Sequence, residues 1–380
     1  MLPTARPGEP TLADVLPSCV RALNGETNTL GLPHTPRIVV VLVDGLGTAS
    51  LKARAGHARA LVGSLTKRTT LTSGFPTTTA AALASLLTGT NPGRHGIVGY
   101  TAYVPAADAV VNQLTGWSSR MPPATWQREP TVFESLAATG SDITANTIGP
   151  SKYAHSGLTK AILRGAKYVP AQSIADRFAA ARRLFDQGGR RVVYLYIPEL
   201  DQLAHAQGWE SDAWLATLES LDGEYARFAA GLRSDEGMLL TADHGVVDVP
   251  ASSHVLFGEH PELVDAVAHV GGDPRCVQLY LEGDAGPDAA DRLAESWRRA
   301  EGERAMIATR AEAIASGWFG AVDPEVAPRI GDVLVAARKL IAYYDGRDGV
   351  TSGRTMVGQH GSFTPEETLV PLLRAGSLAF

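Results

Sequence analysis

The chain has 380 residues, of which 44% are hydrophobic and 19% charged, and its formal net charge at neutral pH is −6. That composition excludes a disordered chain and leaves room for one large α/β domain with an insertion, or for two domains. The acidic balance argues against a basic footprint for duplex nucleic acid, while small phosphorylated ligands held through metal ions stay compatible with it.

Cys19 and Cys276 lie far apart and form no C-x-x-C pair, so free thiols are expected instead of a disulfide framework or a thiolate metal site. The opening segment, MLPTARPGEPTLADVLPS, has prolines and acids where a signal peptide needs an apolar core. No apolar run reaches the roughly 20 residues of a membrane span. The expectation is a cytoplasmic protein that does not touch a membrane.

Residues 1–35, rich in Pro, Thr and Gly, are read as an arm lying over the main domain, residues 36–380. From Arg37 the run IVVVLV is continuous and β-branched, as in a strand buried on both faces of a parallel sheet, and it ends in Asp44-Gly45. Residues 51–65 are expected to be helical. Next comes FPTTTAAALASLLTG, residues 75–89, in which a proline and three threonines run into a strong helix former stopped by Gly89. One threonine hydroxyl should therefore sit at the positive end of a helix, where free N–H groups favour an alkoxide and a bound phosphate. Taken alone, a threonine there is usually only a cap.

Between residues 101 and 170 the pattern mixes short apolar runs with Trp117, Trp126 and a loop at Lys152 and Tyr153; one strand is expected near Ile143, and burial is the expected fate of each tryptophan. Helices are expected at 172–185 and 211–232. Strands are expected in RRVVYLYIPELD and GMLLTADHG. The block 246–358, with CVQLYLEG, DVLVAA and a helical stretch at 288–300, is read as an insertion or small subdomain. Alternating strands and helices predict an α/β fold with a mostly parallel central sheet flanked by helices.

Three strand-like runs finish in an acid, at Asp44, Asp201 and Asp243, and ligands of open α/β sheets bind where such strand ends converge. Clustered carboxylates repel one another, and divalent cations are the usual remedy. His205 follows Asp201 by one helical turn, His244 adjoins Asp243, and His360 lies between residues of GQHGS. Each feature alone has a structural explanation: Asp-Gly is a routine turn and D-x-x-x-H a common surface pair. Their combination at successive strand ends points to two metal sites, with nitrogen and oxygen donors that suit zinc better than magnesium.

With these residues assembled, the chain resembles the alkaline phosphatase superfamily and, within it, the type I phosphodiesterase/nucleotide pyrophosphatase family. The resemblance rests on VLVDGLG, FPTTTAAALASLLTG, LDQLAHAQG, TADHG and GQHGSFTPEETLVPLL, in the family order. It implies two divalent ions, zinc with manganese as the alternative. One would be held by Asp44, Asp243 and His244 with the nucleophile's oxygen, the other by Asp201, His205 and His360. In the superfamily the nucleophile opens a helix ending in Thr-Gly ten positions on, which selects Thr79, with Thr78 as the fallback. The implied chemistry is hydrolysis of a phosphodiester or nucleotide pyrophosphate through a phosphothreonine. Phosphomonoester and carbon–phosphorus hydrolysis are the alternatives on the same site, and a metal- and nucleotide-binding protein without catalysis is the reading from another class. Sulfatases and metal-dependent phosphoglycerate mutases are less similar, because they use other nucleophiles. The chain departs from the family at Ala82, where an asparagine often holds a phosphoryl oxygen; the backbone N–H of Ala80 or a residue from 101–170 would have to serve instead.

Overall fold

A computed structural model describes residues 8–66, 69–347 and 352–379. Its centre is a seven-stranded sheet in the order Thr70–Thr72, Leu369–Gly376, Glu236–Thr241, Arg37–Val43, Arg191–Ile197, Thr144–Gly149 and Lys167–Pro170. The last five run parallel, and Leu369–Gly376 is antiparallel to Glu236–Thr241. The Arg37–Val43 strand is central, paired on both sides, and every residue after Arg37 in it is buried. This is why its sequence is unbroken Val, Ile and Leu instead of alternating. Each such side chain contributes about 1.5–3 kcal/mol on burial.

Helices cover the sheet where the sequence pattern places them, at Ile174–Asp186 and Asp212–Ala230, each opened by a serine whose side chain accepts a backbone N–H. The segment 51–65 is different. It forms two short helices, Thr48–Ala53 and Arg59–Gly63, because the chain turns through Ala55–His57 and Ala58 leaves helical geometry at φ −138°, ψ 54°. Near the start, Val15–Leu23 is a helix whose Val15, Leu16, Cys19, Ala22 and Leu23 are buried in the main core. Cys19 and Cys276 are both free and buried. Trp126 is buried and Trp117 half-buried.

Within the block after Asp243 a second, antiparallel sheet forms in the order Val267–Asp273, Cys276–Leu281, Val333–Ala337 and Ala305–Thr309, packed against the Ala289–Glu301 helix around its own core at Leu279, Trp297 and Val335. The tip between its first two strands carries Asp273 and Arg275 back against the main sheet's carboxyl edge. No helix among the described residues is long and apolar enough to cross a membrane.

Candidate active site

The parallel strands end on one edge, and the loops leaving them bring the sequence's acids and histidines together. Asp44 follows Val43 directly, Asp243 and His244 follow the Glu236–Thr241 strand, and Asp201 lies in the first turn of the Glu199–Gln207 helix with His205 one turn on. His360 arrives from the C-terminal side. Two clusters result: Asp44, Asp243 and His244, with Asp201, His205 and His360 beside them, each with donor atoms within 4.8 Å of one another. His244 Nε2 is 3.4 Å from both Asp44 Oδ1 and Asp243 Oδ2. In the other cluster, His205 Nε2 is 3.2 Å from Asp201 Oδ2 and 3.3 Å from His360 Nε2.

The loops can meet because glycines stand at their contact. A Cβ on Gly245 would lie 1.9 Å from the carbonyl oxygen of Glu366 and 2.9 Å from the Cα of Gly47. The backbone also anchors the ligands. The N–H groups of Gly45 and His244 both donate to Asp243 Oδ1 at 3.1 Å, and the Tyr196 hydroxyl donates to Asp44 Oδ2.

The tautomers are set for coordination. His205 Nδ1 donates to the Gly358 carbonyl at 2.7 Å and His360 Nδ1 to the Thr77 carbonyl at 2.8 Å, so it is Nε2 of each ring that faces the cluster and would bind a cation once it carries no proton. Asp44 Oδ1, Asp201 Oδ1 and Asp243 Oδ2 are buried without a protein hydrogen-bond partner. Burial, then the neighbouring Asp243 and Asp201, drive the Asp44 carboxyl well above its ordinary pKa, and burial raises Asp243 as well. Burial opposes ionisation of Asp201 too, but the His205 imidazole beside it outweighs burial and holds it low, while His205 itself rises to about 9 against its own burial. Burial also pushes His360 well below the usual histidine range. Orphaned carboxylate oxygens facing imidazole nitrogens fit a divalent cation in each cluster, which would compete with the proton shared by Asp201 and His205.

The helix expected to follow the threonines and stop at Gly89 spans Thr79–Thr88, with Thr78 as N-cap and Gly89 in the left-handed region at φ 69°. Thr79 therefore occupies the first helical position. Its Oγ1 lies 3.2 Å from His244 Nε2, whereas the Thr78 side chain bonds Asp273. The geometry thus separates the two threonines: Thr79 faces the Asp44 cluster, and Thr78 bonds Asp273. Ala80 is the second helical residue, so its N–H has no intrahelical acceptor. Ala82 is buried in the main core and forms no part of the cavity wall.

Beside the clusters lies a cavity of about 530 Å³ whose wall includes Asp44, Thr79, Asp201, His205 and His360. Two of its residues were not singled out in the sequence. Tyr196 orients Asp44. Asp273, buried at the cavity wall, accepts the Tyr100 N–H at 3.4 Å and is pushed up to about 7 by burial. A signal existed for the acid, since VGGDP repeats the pattern of a strand ending in a carboxylate.

Comparison with known proteins bears on the fold and the family. The phosphonoacetate hydrolase of Sinorhizobium meliloti, solved with phosphonoformate, superposes with a TM-score of 0.68 at 18% identity, covering 90% of this chain and 91% of that one. Human ectonucleotide pyrophosphatase/phosphodiesterase 5 superposes at 0.66 and 14% identity, covering 90% and 88%. The murine counterpart, an inactive variant in complex with AMP, gives the same values. At these identities the likeness shows the alkaline phosphatase-like fold. No curated protein matches in sequence. The family model for type I phosphodiesterase/nucleotide pyrophosphatase matches residues 38–363, so the chain belongs to that family of metal-dependent hydrolases.

Proposed function

We propose that the protein hydrolyses phosphodiester or nucleotide pyrophosphate bonds with Thr79 as nucleophile, and that two divalent cations, zinc before manganese, are held by the two clusters. The carrying observation is the Thr79 hydroxyl, placed at a helix start 3.2 Å from His244 and on the wall of the cavity that both clusters share. Asp44, Asp243, His244 and Thr79 would hold one cation, and Asp201, His205 and His360 the other. When bound, such cations lower the pKa of a coordinated hydroxyl and neutralise charge on phosphoryl and leaving oxygens.

The chain's own residues supply the rest. Thr79 Oγ1 gives up its proton and attacks phosphorus in line; a P–O bond to threonine forms as the bond to the leaving oxygen breaks, and that oxygen takes up the proton. The Ala80 N–H and the helix start stabilise the charge that develops. Water then attacks the phosphothreonine: its oxygen stays on the released phosphoryl product, and one of its protons returns to Thr79 Oγ1 as the P–O bond to threonine breaks. The Tyr196 hydroxyl and the Gly45 and His244 N–H groups keep Asp44 and Asp243 aimed throughout.

The deciding measurement is kcat/KM on bis(p-nitrophenyl) phosphate against p-nitrophenyl phosphate. A diester preference is expected, together with a loss of at least ~10³-fold in Thr79→Ala while metal content is retained. Full activity in Thr79→Ala would overturn the nucleophile. A clear monoester preference would instead move the protein to the phosphatase reading.

A further inference from the structure

The cavity beside Thr79 is larger than a phosphoryl group needs, and its lining is chemically lopsided. Thr79, Leu83 and Leu87 are spaced by one turn along the same helix, so the helix that presents the nucleophile also forms an apolar wall. Leu114, Leu158 and Leu163, all half-buried, line it as well, backed by the buried Ile148 and Ile162. Several polar side chains on the wall are already engaged within the protein. Gln202 donates to the Tyr153 hydroxyl at 3.0 Å, Tyr168 to the Pro150 carbonyl at 2.8 Å, and Thr159 to the Tyr153 carbonyl at 2.7 Å. The hydroxyls of Tyr194 and Thr147 have no partner but are enclosed. A ligand entering this space therefore meets mainly hydrocarbon.

Charge narrows the ligand further. Two divalent cations set against the carboxylates of Asp44, Asp201 and Asp243 leave a single positive charge, which matches a phosphodiester monoanion. Among the described residues on the wall, Lys152 is the single Lys or Arg, and Asp273 adds another carboxyl. A polyphosphate chain would find little to neutralise it there.

Resting on the phosphoryl-transfer reading above, we propose that the cavity seats one bulky, predominantly apolar substituent of a singly charged phosphodiester, and that di- and triphosphates are disfavoured. Leu158 and Leu163, half-buried on the wall, then act as specificity determinants, because they touch the substituent and not the phosphorus.

The test is calorimetric binding to metal-loaded Thr79→Ala protein of dimethyl, methyl butyl and methyl octyl phosphate, with ADP for comparison. Affinity should rise about three- to fourfold per added methylene until the cavity is filled, with methyl octyl phosphate at least ~50-fold tighter than dimethyl phosphate and tighter than ADP. Equal affinity along the alkyl series, or ADP binding more tightly than methyl octyl phosphate, would overturn the proposal. Adding Leu158→Ala and Leu163→Ala should flatten the series while leaving dimethyl phosphate unchanged; a slope that survives both would place the substituent elsewhere. Binding is read without turnover. A failure of Thr79 as nucleophile, seen as persisting hydrolysis in Thr79→Ala, thus stays distinguishable from a failure of the cavity assignment.

Discussion

Tyr196 donates its hydroxyl hydrogen to one oxygen of Asp44, whose other oxygen is left without a protein partner. A carboxylate held in this way keeps its free lone pairs aimed at a cation, and removing such a support typically costs 10- to 100-fold in metal affinity. Tyr196→Phe should therefore weaken metal retention by about that factor with the fold intact, measured by competition with a chelator; unchanged retention would show that the backbone alone positions Asp44. At this scale most of the clustered acids and histidines were legible, because each follows an apolar run or shares a helical turn with its partner. Tyr196 was not, because a tyrosine inside a buried strand reads as core. Asp273 was passed over for a different reason: it sits at a strand end of the second sheet, and no spacing in the sequence says which sheet's edge faces the metals.

Among the elements, the loops that carry Asp44 and Asp243 touch through glycine. Gly245→Ala would drive a methyl group into the Glu366 carbonyl and against Gly47, so those loops must separate. The expected result is a loss of bound metal at the Asp44 cluster and a fall in kcat/KM of at least ~10²-fold, since small displacements of positioned groups cost that much; metal analysis and kinetics on one sample check it. The Glu236–Thr241 strand begins with an acid for a different purpose. Burial alone would raise the Glu236 carboxyl, but the two Arg182 bonds at 2.7 and 2.6 Å and the Arg233 N–H at 3.0 Å hold it below its ordinary value. A depressed carboxyl stabilises the fold fully above its unfolded pKa, about 4.3, and that contribution is lost as pH falls through the lower folded value. Denaturant titrations of Glu236→Gln should accordingly show a smaller loss of stability below about pH 4.3 than the unaltered chain. An equal acid limb in both would remove Glu236 from the linkage. The helix at Thr79–Thr88 was legible from its cap, composition and terminal glycine. The break at Ala55–His57 was not, since the residues there carry no proline and only one glycine.

For the molecule as a whole, Arg275 is the tie between the second sheet and the site. Its guanidinium meets both Glu367 oxygens at 2.8 Å and the carbonyls of Lys339 and Ile341, and Glu367 also receives the Ser362 N–H at 3.0 Å, two residues beyond His360. Breaking one half of a buried pair leaves the other charge uncompensated, so Arg275→Ala should cost about 3–5 kcal/mol in urea unfolding, with bound metal falling in parallel. Loss below 1 kcal/mol would mean that the two sheets hold together without it. The parallel sheet was readable from its buried β-branched strands; the pairing of Arg275 with Glu367 was not, because it joins distant segments that share no pattern. The same long reach governs how the protein is made on the ribosome. Asp44 ends a strand whose neighbours are residues 191–197 and 236–241, and His360 follows later than either. That strand stays without its sheet partners until both have been made, which makes a slow, non-local folding reaction in which exposed apolar surface waits for its partners. A chain interrupted before His360 would lack one member of the Asp201 cluster, so the full set of proposed cation ligands exists only once the second sheet has been synthesised.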